Sequence, residues 1–293
     1  MSSILYGWPS PLKKIEQTSD KDLHQDLKFS IVIPTLNQAD TLEHTLLSII
    51  NQDYTNFEII VMDGGSHDAT SLIIEEYQHW IQHYCKGEDS GQSDAINKGF
   101  KLATGDVFAW INSDDYYLPS AFSRVFDVFK SRPSLDIVVG NGDIVTKDCR
   151  FLKRINAMLM EVRNLIRWSK GDYIMQQSCF WTSKIWNRSG GVDESLKLLM
   201  DFDLWFRLAA LGESQVLDET LAVMRYYPEV KTVSLKDHVK EELAYVFARN
   251  GQYEEVRKIV HELVEENKHV VAQLNKLNQN MLIRILKRVG VHQ

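Results

Sequence analysis

The chain has 293 residues, 44% of them hydrophobic, and its 33 basic against 40 acidic residues leave a net charge of -7. That balance excludes a bulk electrostatic attraction for nucleic acid, while the apolar fraction is ample for one large domain or two small ones. Three cysteines, Cys85, Cys149 and Cys179, have neither an even count nor metal-ligand spacing, which argues against a structural zinc and for a reducing compartment.

Residues 1–28 read as an N-terminal leader, broken by Pro9 and Pro11, without the charged region and apolar core of a signal peptide. No run approaches the roughly 18 apolar residues of a spanning helix. The expected location is therefore cytoplasmic, with peripheral contact at the inner membrane face left open. Phe29 to Ile33 reads as a strand ended by Pro34, and Asp40 with Glu43 has capping-box spacing before a helix lined by Leu42, Leu46 and Ile49. Glu58 to Met62 is a second strand, followed by DGGSHDAT and a helix from Thr70 to about Gln82. His83 to Lys86 is strand-like, and EDSGQSDAINKG leads into a third helix running to Leu102. This alternation predicts an α/β fold: a Rossmann-like, mostly parallel central sheet flanked by helices.

Val107 to Ile111 is a short apolar strand that ends in Asn112, Ser113, Asp114 and Asp115, before a helix from Pro119 to Phe129. In an open α/β sheet the crevice outside the strand ends is where ligands bind. Two adjacent acids there have two readings: a cation with a diphosphate, or an acidic helix cap. Further on, Asp136 to Val145 reads as a strand, Met158 to Trp168 as an amphipathic helix, Ile174 to Trp181 as a strand, Met200 to Leu211 as a helix and Val216 to Met224 as a closing strand. From Leu235 the chain reads as helical to its end. The expected organisation is a leader at 1–28, a catalytic domain at 29–234 with a nucleotide-binding half (29–115) and an acceptor-binding half (116–234), and a helical extension at 235–293.

Five motifs in order carry a resemblance: Pro34-Thr35-Leu36-Asn37; Asp63-Gly64-Gly65-Ser66-His67-Asp68; Asp89, Gly91, Asp94, Ala95, Asn97 and Gly99; Asn112-Ser113-Asp114-Asp115; and Met200-Asp201-Phe202-Asp203-Leu204-Trp205 with Arg207. Over residues 29 to about 234 the chain resembles the inverting family 2 glycosyltransferases of the GT-A fold. The resemblance implies transfer of one sugar from a nucleotide-diphosphate sugar, a UDP-sugar first, to a hydroxyl of a surface-glycan, capsule, lipopolysaccharide or glycoprotein acceptor. It implies a divalent cofactor, Mn2+ or Mg2+, on Asp114, with Asp115 as a second candidate ligand, and Asp201 as general base. Donor contacts fall on Pro34, Thr35, Asn37, Asp63, Gly91, Asp94, Asn112, Ser113, Asp114 and Arg225. Acceptor contacts fall on Gln176, Gln177, Trp181 and Trp205.

Several of these residues have structural alternatives that stay open: Asp63 closing the turn at Gly64, Asp94 and Asp68 as helix caps, and Trp205 as core. Two departures from the family pattern stand out, Asn112 for the first metal-motif aspartate and Met200 for the acid before the base. Arg225, Tyr226 and Tyr227 close the last strand, where a tyrosine stands in place of the histidine of relatives. Asn164 to Trp168 reads N-x-x-R-W, close to a motif of processive polysaccharide synthases, but it precedes the base and no spanning segment accompanies it. A catalytically weak sugar-nucleotide-binding protein is the alternative. A nucleotide-binding oxidoreductase is a poorer one, because the first strand leads into PTLNQAD and carries no G-x-G-x-x-G. The basic amphipathic end, MLIRILKRVG, admits a lid, a homo-oligomer contact or membrane contact, the last suiting a lipid-linked glycan acceptor.

Overall fold

The computed structural model describes residues 27–167, 174–227 and 238–288, the last segment as backbone alone at 274 and from 277 onward. The expected leader up to residue 26, Trp168 and the side chains of the basic C-terminal helix lie outside the described residues. Those described fall into two compact units divided between Asp237 and His238.

In the first unit β1 (Phe29–Thr35), β2 (Phe57–Asp63), β3 (Ile81–Lys86) and β4 (Val107–Trp110) alternate with α1 (Leu42–Ile50), α2 (Thr70–Glu76) and α3 (Gln92–Leu102). β1 is buried along its whole length, which its unbroken apolar run anticipates for a strand covered on both faces. Phe29, Ile31 and Ile33 face a core shared with Leu42, Leu46 and Ile49 of α1, and with Phe122, Val125 and Phe129 of α4 (Ala121–Ser131). Val32 faces α3, which comes so close that a Cβ on Gly99 would lie 2.5 Å from Val32 Cγ1.

The chain then adds β5 (Tyr116–Tyr117), β6 (Ile137–Thr146), β7 (Phe151–Ile155), α5 (Val162–Leu165), β8 (Cys179–Thr182), α6 (Ser183–Ser189), α7 (Met200–Leu211) and β9 (Ser214–Tyr226). Among the described residues the strand order is β3-β2-β1-β4-β8-β6-β9-β5, with β7 on β6. β1 runs parallel to β2 and β4, whereas β4 meets β8 antiparallel. Register sets Thr35 opposite Asp63 and Asp63 opposite Lys86, so three strands end level at one rim.

Four local expectations change. The helix expected from Thr70 to Gln82 stops at Glu76, because Ile81 to Lys86 instead pairs with β2 and Gln82 Oε1 accepts the Ile59 amide at 2.7 Å. The helix expected over Met158 to Trp168 is reduced to α5, since the preceding segment is tied down by Ala157 N to Asn141 Oδ1 and Met160 N to Ser214 Oγ. The strand expected from Ile174 begins only at Cys179, after a single 3-10 turn at Gln176–Ser178. The capping box at α1 is not made: Thr41 holds the cap position and Glu43 accepts from the Tyr77 hydroxyl at 2.8 Å.

The second unit is a hairpin of α8 (Val239–Arg249) and α9 (Tyr253–Arg288). Among the described residues no helix is long and apolar enough to cross a membrane.

Candidate active site

The loop between β4 and β5 carries the acidic pair, and the two aspartates take different environments. Asp115 is buried: Oδ1 accepts the Arg225 amide at 3.0 Å, and Oδ2 accepts Gln177 Nε2 at 2.6 Å and Asn112 Nδ2 at 3.3 Å. Burial, and then the charge of Asp114, push its carboxyl well above the usual carboxylate range. Both oxygens being taken inside the protein, Asp115 organises the loop and is not placed as a second metal ligand. Asp114 is half-buried and its Oδ2 accepts the Tyr227 hydroxyl at 2.7 Å. Its Oδ1 has no partner among the described residues.

Behind this carboxylate is a clamp. Arg225, at the end of β9, donates Nη1 to the Asp114 carbonyl and Nη2 to Nδ1 of His44, and its guanidinium lies 4.9 Å over the Tyr116 ring. His44 stacks on Tyr116 at 4.3 Å. Burial and the neighbouring Arg225 lower the His44 pKa from 6.5 to about 3, so the ring is neutral and accepts at Nδ1. Arg225 is thus turned inward, 3% exposed, and steadies the loop. Sequence reasoning named Arg225 but missed His44. Its one usable signal was a histidine two residues after Leu42 in the helical segment LEHTLLSII.

Asn112 Oδ1 accepts Gln92 Nε2 at 2.7 Å, which ties the start of α3 to the loop, and Ser113 is buried. At the rim of β1 and β2, Asn37 (φ 53) gives its amide to Ser66 Oγ, and its Oδ1 accepts the His67 amide. Asp63 Oδ1 accepts the amides of Gly65 and Ser66, closing the turn, while Oδ2 accepts the Tyr84 hydroxyl at 3.2 Å. Pro34 and Thr35 are buried beside it, and Thr35 Oγ1 has no hydrogen-bond partner among the described residues. Next to Asp63 opens a cavity of about 200 Å³ lined by Met62, Lys86, Asp89, Ala95 and Lys98 among others. Gly91 (φ 117) makes the left-handed turn into α3. Asp94, in the first turn, accepts Ser90 N at 3.0 Å and Lys98 Nζ at 2.7 Å, a capping arrangement.

Asp201 sits in the first turn of α7, where the helix dipole favours an anion, with Phe202 N donating to its Oδ1 at 2.7 Å. It is near enough to β8 that its charge adds to burial in pushing the Cys179 thiol up, which leaves that cysteine inert as a nucleophile. Gln177, two residues earlier in the turn before β8, is the donor to Asp115, so this turn and the start of β8 together span from the acidic loop to α7. Met200 Sδ accepts the Ser93 hydroxyl at 2.7 Å.

The expected acceptor residues are placed differently. Gln176 is buried with Nε2 on the Trp110 carbonyl at 2.9 Å, and Gln177 is spent on Asp115. Trp181 and Trp205, at 0% and 2% exposure, lie inside an aromatic cluster with Trp110, their ring centroids 5.8 Å apart. A sugar platform needs a free ring face. Neither tryptophan has one, so both are core residues here.

A divalent ion fits this donor set in a limited way. Among the described residues no group of three His, Cys, Asp or Glu side chains could hold an ion unaided. One carboxylate with an open oxygen is nonetheless what a hard cation needs when phosphates and water complete its shell.

The glycosyl transferase family 2 model matches residues 30–190. The chain belongs to this family. An uncharacterized glycosyltransferase of Rickettsia conorii is 27% identical over 223 residues, 72% of this chain and 36% of the relative, so the chain spans about a third of that protein. The S. aureus TarS 1-349 complex with UDP-GlcNAc superposes with a TM-score of 0.62 at 20% identity, over 76% of this chain and 65% of that one. The mannosyltransferase PcManGT of Pyrobaculum calidifontis, in complex with GDP-Man and Mn2+, gives 0.58 at 15% identity, over 92% and 84%. The family's GT-A fold is therefore the fold of this chain.

Proposed function

We propose that the chain transfers a single sugar, with inversion, from a nucleoside-diphosphate sugar to a hydroxyl of a glycan or lipid-linked glycan acceptor, in assembly of a surface polysaccharide or glycoprotein glycan. The observation that carries this reading is Asp114, whose Oδ1 has no partner among the described residues while Tyr227 and Arg225 fix the direction of the loop and its carboxylate. The cavity beside Asp63 is of a size and polarity for a nucleobase, and UDP is the first candidate because a fold neighbour carries UDP-GlcNAc.

Asp114 would hold a divalent cation, Mn2+ or Mg2+, which when bound neutralises charge growing on the diphosphate leaving group. The protein's own part is twofold. It holds the Asp114 carboxylate toward the phosphates through Tyr227 and Arg225, and it offers Asp201 as the base that takes the acceptor hydroxyl proton. Displacement on the side opposite the diphosphate inverts the anomeric centre.

Titration calorimetry of UDP, with and without Mn2+, on the wild type and on Asp114→Ala tests the donor side. Tight binding that needs both the ion and Asp114 is expected. Equal affinity in all four experiments would overturn the metal role and leave the family assignment standing.

A further inference from the structure

Asn97 and Arg207 both stand in the sequence motifs, and both direct polar atoms at one short turn. Asn97, in α3, holds the backbone of Val192 at both ends: Oδ1 accepts the Val192 amide at 3.0 Å, and Nδ2 donates to the Val192 carbonyl at 2.9 Å. From the other side Arg207, in α7, donates Nη1 to the carbonyls of Ser189 at 2.5 Å and Gly191 at 2.6 Å. The turn is built for this approach. Gly190 and Gly191 both have φ 81, and a Cβ on Gly191 would lie 2.5 Å from Asn97 Oδ1, so a side chain there would break the grip.

Helix α3 holds the same segment a second time. Ser93, one turn before Asn97 and so on the same side of the helix, donates its hydroxyl to Met200 Sδ at 2.7 Å. The segment from Val192 to Met200 is thus tied to α3 at both ends, and its next residue is Asp201. Burial of Leu196 and Leu199 presses the segment onto the core, but that attraction is non-directional and sets no register. The hydrogen bonds from Asn97 and Ser93 are directional and do set it. On another side of α3, Ala95 and Lys98 line the cavity beside Asp63. One helix therefore serves the cavity and the approach to Asp201 together.

We infer that Asn97 and Ser93 are positioning residues for Asp201, fixing the segment that delivers its carboxylate relative to the donor side. The inference rests on the reading of Asp201 as base. A misplacement of about 1 Å in such a group can cost about 10²-fold in rate.

Three variants separate the ties. Asn97→Ala removes both bonds to Val192, Ser93→Ala removes the bond to Met200, and Glu194→Ala removes only the contact that Glu194 Oε1 makes with Asn97 Nδ2 at 2.9 Å. Circular dichroism should report all three folded; should Asn97→Ala not fold, Ser93→Ala carries the same measurements. Hydrogen exchange, read by mass spectrometry on peptides covering 192–203, should run roughly tenfold faster in Asn97→Ala and Ser93→Ala. The change should reach the first turn of α7, where the Asp203 amide closes on the Leu199 carbonyl at 2.9 Å. Glu194→Ala should exchange as wild type does. UDP with Mn2+ should bind all three variants with wild-type affinity.

The probe reaction is release of UDP from UDP-GlcNAc in water with Mn2+. The bond from C1 to the diphosphate oxygen breaks, a bond from C1 to the water oxygen forms, and the water proton passes to Asp201. Asn97→Ala should slow it roughly 10- to 100-fold. In an Asp201→Asn background it should slow it no further, because a residue acting through Asp201 has nothing left to position. Unchanged exchange across 200–203 in Asn97→Ala would overturn the inference whatever the donor. So would losses that multiply onto those of Asp201→Asn, or UDP affinity that falls in step with turnover. Near-normal turnover by Asp201→Asn would overturn the base reading itself, and the inference would fall with it.

Discussion

His44 is a histidine that the fold keeps from titrating. Its pKa falls from 6.5 to about 3 through burial and then through Arg225, so the folded chain refuses a proton that the unfolded chain accepts. Above pH 6.5 both states are neutral and nothing changes. Between 6.5 and about 3 the unfolded state binds more protons, so stability declines as the pH drops, by up to about 1.4 kcal/mol per pH unit. Asp115, whose pKa is raised, acts oppositely above the ordinary carboxylate range, so the wild-type slope is a sum. Replacing His44 by Asn keeps an acceptor for Arg225 and removes the titration. Denaturant melts of His44→Asn should therefore show a flatter decline than wild type between pH 6.5 and 4, and identical slopes would mean that the ring is protonated in the folded chain.

Helix α7 presents two acids in different surroundings, and position along the helix decides them. Asp203 is fully buried and accepts Arg207 Nε at 3.0 Å and Nη2 at 2.8 Å, while Arg207 Nη1 reaches the Ser189 and Gly191 carbonyls. Removing one partner of such a pair costs about 3–5 kcal/mol. Asp201, two residues earlier and so on another side of the helix, is half-buried. Asp203→Asn should thus lower the melting temperature, whereas Asp201→Asn should melt normally, bind UDP normally and lose about 10² to 10⁴ in transfer. Near-normal turnover by Asp201→Asn would remove it as base, and retention of anomeric configuration in the product would contradict single displacement. That the two side chains leave the helix on different sides was legible in the sequence, because i and i+2 diverge on a helix. Also legible were the buried strands β1, β2 and β4, whose apolar runs leave little choice. What the sequence hid was long-range satisfaction of polar groups. Gln176 and Gln177 look like surface ligands in one dimension, and only the Trp110 carbonyl and Asp115, more than sixty residues away, show why they turn inward. The two-residue β5 was equally invisible, since Tyr116 and Tyr117 are strand only through pairing with Val223 and Ala222.

The first unit joins a parallel sheet to a mixed one at a narrow seam. β4 and β8 meet through two residue pairs, Val107 with Thr182 and Phe108 with Trp181, before the strands part. So short a ladder cannot alone hold the side built from β1 to β4 against the side built from β6, β8 and β9. The joint is made by rings. Phe100 stacks on Phe108 at 4.8 Å, Trp110 meets Trp181 edge-on at 5.2 Å and stacks on Trp205 at 6.1 Å, and Trp186 closes on Phe100 at 4.3 Å. Helices α3, α6 and α7 each lend a ring, so one cluster fastens both halves of the sheet and the helix that carries Asp201. Trp181, at the centre and fully buried, is the test position. Trp181→Ala would leave a cavity and cost about 3–5 kcal/mol in a denaturant melt. The cavity beside Asp63, where the proposed donor would bind, is lined by β2, β3 and α3, on the β1–β4 side of the seam. UDP affinity measured on the folded fraction should therefore move little while transfer falls, because α7 loses its fixed relation to the acidic loop. A Trp181→Ala protein as stable as wild type would show that the ladder suffices. Loss of UDP binding in full measure with transfer would show that the two halves fold and fail as one.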